Sequence, residues 1–143
     1  MCEAIVLAKY IVSKCMTDGK PISNLRLQKT MYYIQKDFIK RGNEAFMDDI
    51  EAWQFGPVVP NVYYRFSGYG SMPITAIYED SIVGCYSTSD INTIDTIIES
   101  KRELDPWDMV EETHKANGAW DRVFKNGLGN HNVIPKEFIR EDI

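Results

Sequence analysis

The sequence predicts a mainly α fold with a small β element (α+β), a compact single-domain helical bundle carrying a short strand or hairpin. Three observations predict it. Apolar residues recur at helical spacing in several separated stretches. The breaks between those stretches fall on Gly, Pro, Asp and Asn. One further stretch, DDIEAWQFGP, alternates in the manner of a strand. The length of 143 residues with 44% hydrophobic composition suits one domain over 1–143, whose core is large enough to fold without staples.

Taken in order, Ile5, Ala8, Val12 and Cys15 predict a first helix from Glu3 to Met16, stopped by Asp18-Gly19-Lys20-Pro21. Ser23 or Asn24 can cap the next helix, where Leu27, Met31, Ile34 and Phe38 form an apolar stripe ending at Gly42. Gln28, Tyr32 and Gln35 run along a neighbouring stripe of the same helix. In the alternating stretch, Ile50, Ala52 and Gln54 point one way and Glu51, Trp53 and Phe55 the other, and Gly56-Pro57 ends the strand because Pro donates nothing to a ladder. Pro57 or Pro60 then opens a helix to about Phe66. SGYGSMP reads as a loop, and ITAIYEDSIVGCYS as two short β segments forming a minor hairpin. Asp90 is the expected cap of a helix over Ile91–Leu104, and Pro106 opens another to about Ala116. Ala119 to Phe124 forms one more turn. Pro135 to Ile143 closes the chain as a short helix burying Phe138, Ile139 and Ile143.

The same residues exclude several classes of function. No apolar run reaches the roughly 18 to 20 residues of a membrane span, and Glu3 and Lys9 break any secretory signal in the first residues. Cys2, Cys15 and Cys85 are odd in number, far apart and without a CxxC or Cys/His pattern, which reads as reduced thiols in a cytoplasmic protein. His114 and His131 have no ligand-spaced partners, so no metal site is expected. Gly68-Tyr69-Gly70 lacks the residues of a phosphate cradle, and no nucleophile elbow appears. The expectation is therefore no cofactor, no catalytic residue and no enzyme activity. One weak alternative pairs His114 with Glu111 or Glu112 as acid and base.

Net charge is −5, which disfavours nucleic acid as the main partner. Its distribution is uneven. Lys20, Arg26, Lys29, Lys36, Lys40 and Arg41 face only Asp37 between Lys20 and Gly42, whereas Glu79 to Glu112 holds ten acids against Lys101 and Arg102. The basic second helix and nearby tyrosines keep a nucleic-acid-binding regulator as the second reading. Aromatic residues make up 12% of the chain, and Tyr63, Tyr64 and Tyr69 stand close to Arg65 in a mixture that protein interfaces favour. Trp53, Trp107 and Trp120 serve either core or interface.

Three separated pieces carry a resemblance. They are ISNLRLQKTMYYIQ, IEAWQFGPVVPNVYYRFSGYG and ETHKANGAW. In these the chain resembles the Panacea domain, the SocA/GepA-like family of phage-associated and chromosomal antitoxins. The resemblance implies a protein that neutralises a toxin, often encoded next door, by direct contact or as an adaptor for proteolysis. It implies a protein partner, and the short apolar runs add the expectation that no membrane is involved. Its marked positions fall on Leu25, Leu27, Gly56, Pro57 and Thr113, which have structural jobs, and on Gln28, Lys29, Tyr32, Trp53, Tyr63, His114 and Trp120. With Gln35, the latter group makes up the candidate partner-binding residues. For Gln28, Tyr32 and Gln35 the competing role is to satisfy buried backbone near the WQFGP corner. Where the family commonly has Pro before the last Trp, this chain has Ala119.

Overall fold

Helix formation begins where the apolar spacing and the caps agree. The computed structural model describes residues 1–143, the side chain of Pro106 excepted. Among the described residues the first helix, α1, spans Ala4–Thr17 and the second, α2, spans Asn24–Lys40. The Ser23 hydroxyl caps α2 by accepting from the Arg26 amide at 3.3 Å. Leu27, Met31 and Ile34 are fully buried and Phe38 nearly so, so the predicted stripe is the core face, each residue contributing roughly 1.5–3 kcal/mol of burial. The neighbouring stripe is buried as well. Helix α2 is thus central, with α1, the sheet and four later helices packed around it.

The alternating stretch is a hairpin. Strand β1 (Glu51–Trp53) turns through Gln54-Phe55 into β2 (Gly56–Val58), with Ala52 opposite Pro57. This corrects the expectation that Gly56-Pro57 ends the strand. Strand β2 is at the sheet edge, in the order β2-β1-β3, and an edge position tolerates a proline without a donor. Gly56 adopts φ +121°, a conformation that L side chains avoid. The third strand, β3 (Asn132–Val133), pairs antiparallel with β1 and had no sequence signature.

Helix α3 covers Pro60–Arg65, followed by a 3-10 turn at Ser67–Tyr69. The hairpin expected within ITAIYEDSIVGCYS does not form, and residues 73–86 contain neither helix nor strand. Helix α4 covers Thr88–Lys101, and its cap is Ser87, whose hydroxyl accepts from the Asp90 amide at 3.1 Å. Asp90 lies one turn inside, contrary to expectation, where its charge favours the positive end of the helix dipole. Helices α5 (Pro106–Thr113), α6 (Ala119–Phe124) and α7 (Lys136–Glu141) complete the chain. Ile139 is buried as expected, but Ile143 is 91% exposed, because α7 stops at Glu141 and the chain leaves it extended.

A second correction concerns the thiols. Cys2 and Cys85 are joined in a disulfide with Cα atoms 5.3 Å apart, and Cys15 alone is a buried free thiol. The irregular segment brings residue 85 back to the start of α1, a closure that their separation of 83 positions does not announce. Among the described residues, no helix is long and apolar enough to cross a membrane.

Candidate functional site

The three motif-bearing pieces meet beneath the β1–β2 hairpin. From α2, the Lys29 amine donates to the Phe55 carbonyl. From α6, the Trp120 indole Nε1 donates to the Trp53 carbonyl at 2.7 Å. Gln28 accepts from the Val59 amide at 2.9 Å and donates to Asn24 at 3.0 Å, and Asn24 in turn donates to the Tyr63 carbonyl at 3.1 Å. Backbone polar groups that a turn would otherwise leave unsatisfied are thereby paired from below.

The pieces also explain one another. A Cβ built on Gly56 would collide with the Lys29 amine and lie 3.2 Å from Thr113 Oγ1. Gly56 is therefore required both by its φ and by the lysine that fills the space beside it. Thr113 caps its own helix end, its hydroxyl donating to Met109 or Val110 carbonyls at 3.1 Å. His114 follows as the C-cap of α5 and stacks on Trp120 with ring centres 3.6 Å apart, while Phe124 stacks on the same indole at 4.5 Å. Leu27 is fully buried, whereas Leu25 lines the groove described below.

Electrostatics at this junction are unusual. Lys29 is 1% exposed, and burial alone lowers its pKa to about 7. Burial also lowers the His114 pKa and the nearby Lys29 lowers it further, with the Phe55 backbone opposing both. His114 Nε2 is buried without a hydrogen-bond partner. Glu112 does not pair with it, being held instead by the Tyr33 hydroxyl and by Lys101 at 3.7 Å. Among the described residues, no cluster of His, Cys, Asp and Glu could hold a metal ion.

Above the junction, the hairpin presents its outward side chains. Trp53 is half-buried, its indole Nε1 held by Glu51 at 2.9 Å. His131 stacks flat on it at 4.2 Å, and Tyr63 meets it edge-on at 5.0 Å. Phe55 at the tip is 54% exposed and Tyr64 is 60% exposed. A groove of about 440 Å³ opens beside them, lined by Asn24, Gln28, Trp53, Phe55, Tyr63 and His131 among others, with no Lys, Arg, Asp or Glu in its wall. His131 and Phe55 were missed in the sequence as site residues. The available signal for His131 was the run Asn130-His131-Asn132, residue types that tolerate the left-handed φ of +68° found there.

Other predicted residues lie away from this face. Tyr32 is 2% exposed and donates to Asp142 at 2.6 Å, and burial, then that carboxylate, raise its pKa far above the ordinary phenol value. Gln35, also buried, donates to the Phe46 carbonyl at 2.8 Å and accepts from the Ala45 amide at 2.7 Å. Lys29, Gln28, Tyr32 and Gln35 thus make their hydrogen bonds inside the molecule, and of the candidates only Trp53 and Tyr63 reach the groove wall with polar or aromatic surface, alongside one edge of Gln28.

Comparison with known proteins gives this junction a family. The profile described as "Antitoxin SocA-like, Panacea domain" matches residues 27–121. Among curated proteins, Antitoxin SocA of Caulobacter vibrioides (strain NA1000 / CB15N) is 32% identical over 139 residues, covering 90% of this chain and 73% of that protein. No solved structure matches the chain. The matched span contains Gln28, Lys29 and Trp120 together with the hairpin they hold, and the chain belongs to the antitoxin SocA-like, Panacea-domain family.

Proposed function

We propose that this chain is an antitoxin that neutralises a toxin, encoded by an adjacent gene, through direct contact, and that the toxin docks on the hairpin tip and the groove beside it. One observation carries the reading: three of the family's marked residues, Gln28 and Lys29 from α2 and Trp120 from α6, converge on the backbone of a single hairpin with an exposed tip. A buried polar network that fixes one turn costs desolvation at every group, and it is well used where that turn must be preorganised for binding. The groove wall, aromatic and amide-bearing without formal charge, suits an uncharged segment of the toxin. Such a segment enters without the desolvation cost of a charge. Delivery of the toxin to a protease would use the same docking face.

The nucleic-acid reading has less support. Each of the six bases between Lys20 and Gly42 has a partner within the chain, although Lys20, Lys40 and Arg41 meet theirs at the surface. Lys20 pairs with Glu103, Arg26 donates to the Arg102 carbonyl, and Lys29 is buried under the hairpin. Lys36 pairs with Asp142 at 3.5 Å, Lys40 donates to the Arg140 carbonyl at 3.1 Å, and Arg41 bridges Asp37 and Asp90 at 2.9 and 3.2 Å. Phosphate binding needs such bases free and clustered.

The test is Phe55→Ala with Tyr64→Ala. Both side chains are largely exposed, so stability should change by less than about 0.5 kcal/mol each. Affinity for the purified product of the adjacent gene should fall at least tenfold, and protection in co-expression should fall with it. Unchanged affinity in both variants would move the docking face elsewhere, and a harmless adjacent product would end the reading.

A further inference from the structure

A lysine is rarely fully buried, and when it is, a carboxylate normally accompanies it. Lys29 has none. Its amine is held by the Phe55 carbonyl, with Gly56 directly over it and Thr113 beside that glycine. The titratable group facing it from α5 is His114, another base. The hairpin itself contributes only backbone there. One turn along α2, Tyr32 and Tyr33 send their hydroxyls to Asp142 and Glu112, so those acids are engaged elsewhere. The roof over the amine is the turn that carries Phe55, at the edge of the groove.

We propose that Lys29 is a positioning residue whose proton controls the docking face: without the proton the hairpin corner closes over the amine, and with it the corner loosens. A neutral amine donates to the Phe55 carbonyl and needs no counter-charge. An ammonium in the same place lacks both water and a counter-charge, and it reaches water only if the 54–57 turn lifts. Gly56 makes that lift possible, because no side chain anchors the turn at that point. That the lifted turn is the docking face rests on the reading given above. The latch itself does not.

The direction follows from linkage. In the open corner Lys29 is in water with an ordinary lysine pKa near 10.4, whereas in the closed corner burial holds it at about 7. The open form therefore binds more protons between those values, and each unit fall in pH raises the open-to-closed ratio about tenfold. Below about 7 the two forms carry the same charge at Lys29 and its contribution stops changing. Charging of His114 in more acidic solution adds repulsion in the same direction.

The experiment uses the full chain without partner. Nuclear magnetic resonance of the lysine side chains follows Lys29 from pH 6 to 11, and amide exchange, corrected for its intrinsic pH dependence, reports protection of Trp53, Phe55 and Val58. Lys29 should titrate far below the other lysines, and protection in the hairpin should rise by up to tenfold per pH unit above about 7. In Lys29→Met that slope should disappear, whatever the absolute protection, since Met removes both the charge and the donor to Phe55. A Lys29 that titrates with the surface lysines overturns the proposal even if the Met variant fails to fold, as does a Met variant with the wild-type slope. Binding of the adjacent gene product at pH 6 and pH 8 separates the two claims. Tighter binding at pH 8 in the wild type alone supports the latch acting on the docking face. A titrating latch without any pH effect on binding overturns its role at that face.

Discussion

Two regions of this molecule cross its surface without a long helix or a broad sheet, and they are ordered by different means. The hairpin at 51–58 is pinned from beneath by short ties: Lys29 to Phe55, Trp120 to Trp53 and Gln28 to Val59. The strap at 73–86 has no ladder, and widely spaced anchors hold it. The Ile74 amide donates to the Ile22 carbonyl at 2.8 Å, the Tyr78 amide to the Ser13 hydroxyl at 2.7 Å, and the Tyr86 hydroxyl to the Ala45 carbonyl at 2.5 Å. Ile74 and Ile82 are buried, and Cys85 is covalently tied to Cys2. A pinned turn keeps its outward side chains in one geometry, as binding requires. A strap held at intervals covers the core and leaves Ile77 and Val83 exposed between anchors. Damage to the two regions should therefore differ in reach as well as in size.

The largest effect is expected at Gly56. In Gly56→Ala the new Cβ meets the Lys29 amine, and the residue is forced to a φ of +121°. Backbone strain costs about 1–3 kcal/mol and overpacking about 1–3 kcal/mol, so the variant should lose roughly 4 kcal/mol in urea unfolding. Loss should spread to α2 and α5, since Lys29 and Thr113 both adjoin the site. A loss under about 1 kcal/mol would mean that the lysine moves aside freely, and the hairpin would be no better pinned than the strap.

Opening the strap should cost somewhat less. Reduction of Cys2–Cys85, or Cys85→Ser, releases a closure of 83 positions, and such cross-links typically contribute about 2–4 kcal/mol by restricting the unfolded chain. Thermal unfolding with and without reductant measures it. Amide protection should fall at Ile74 to Tyr86 and persist at Trp53 to Val58. Equal losses in both regions would show that the strap and hairpin open as one unit, and the contrast between them would fail.

How much of this was legible in the sequence depended on where each tie lay. The α2 stripe was readable because helical spacing marks a core face directly, and Leu27, Met31, Ile34 and Phe38 are all buried. In the strap, Ile74, Ala76 and Tyr78 turn inward while Thr75, Ile77 and Glu79 are exposed. Alternation there correctly signalled extended backbone, but a strand also needs a neighbour, and none is alongside. Strand β3 was hidden for the opposite reason, since Asn132 and Val133 are both exposed and leave no alternation to read. Lys29 was legible only as a marked position, because a lysine's expected place is in water. That Gln28 and Gln35 hold backbone at Val59 and Ala45 could be offered from sequence only as one of two roles, since an amide serves a partner and a buried turn equally well.

The smallest effect probes one pin of the hairpin alone. Trp120→Phe removes the indole donor to the Trp53 carbonyl, 2.7 Å away, and keeps an aromatic ring between His114 and Phe124. A fully buried carbonyl left without its donor costs about 1–3 kcal/mol; this one is part-buried and the stacking is retained, which places the expected loss near the lower end, at about 1.5 kcal/mol. Urea unfolding checks the size, and amide exchange at Trp53 and Phe55 checks the place. Lys29 and Gln28 still hold the other groups of the turn, so protection should fall most at Trp53 and least at Val59. A uniform fall across 51–59 would mean that the pins act as a single cooperative network, and preorganisation of the hairpin would then rest on all three pins at once.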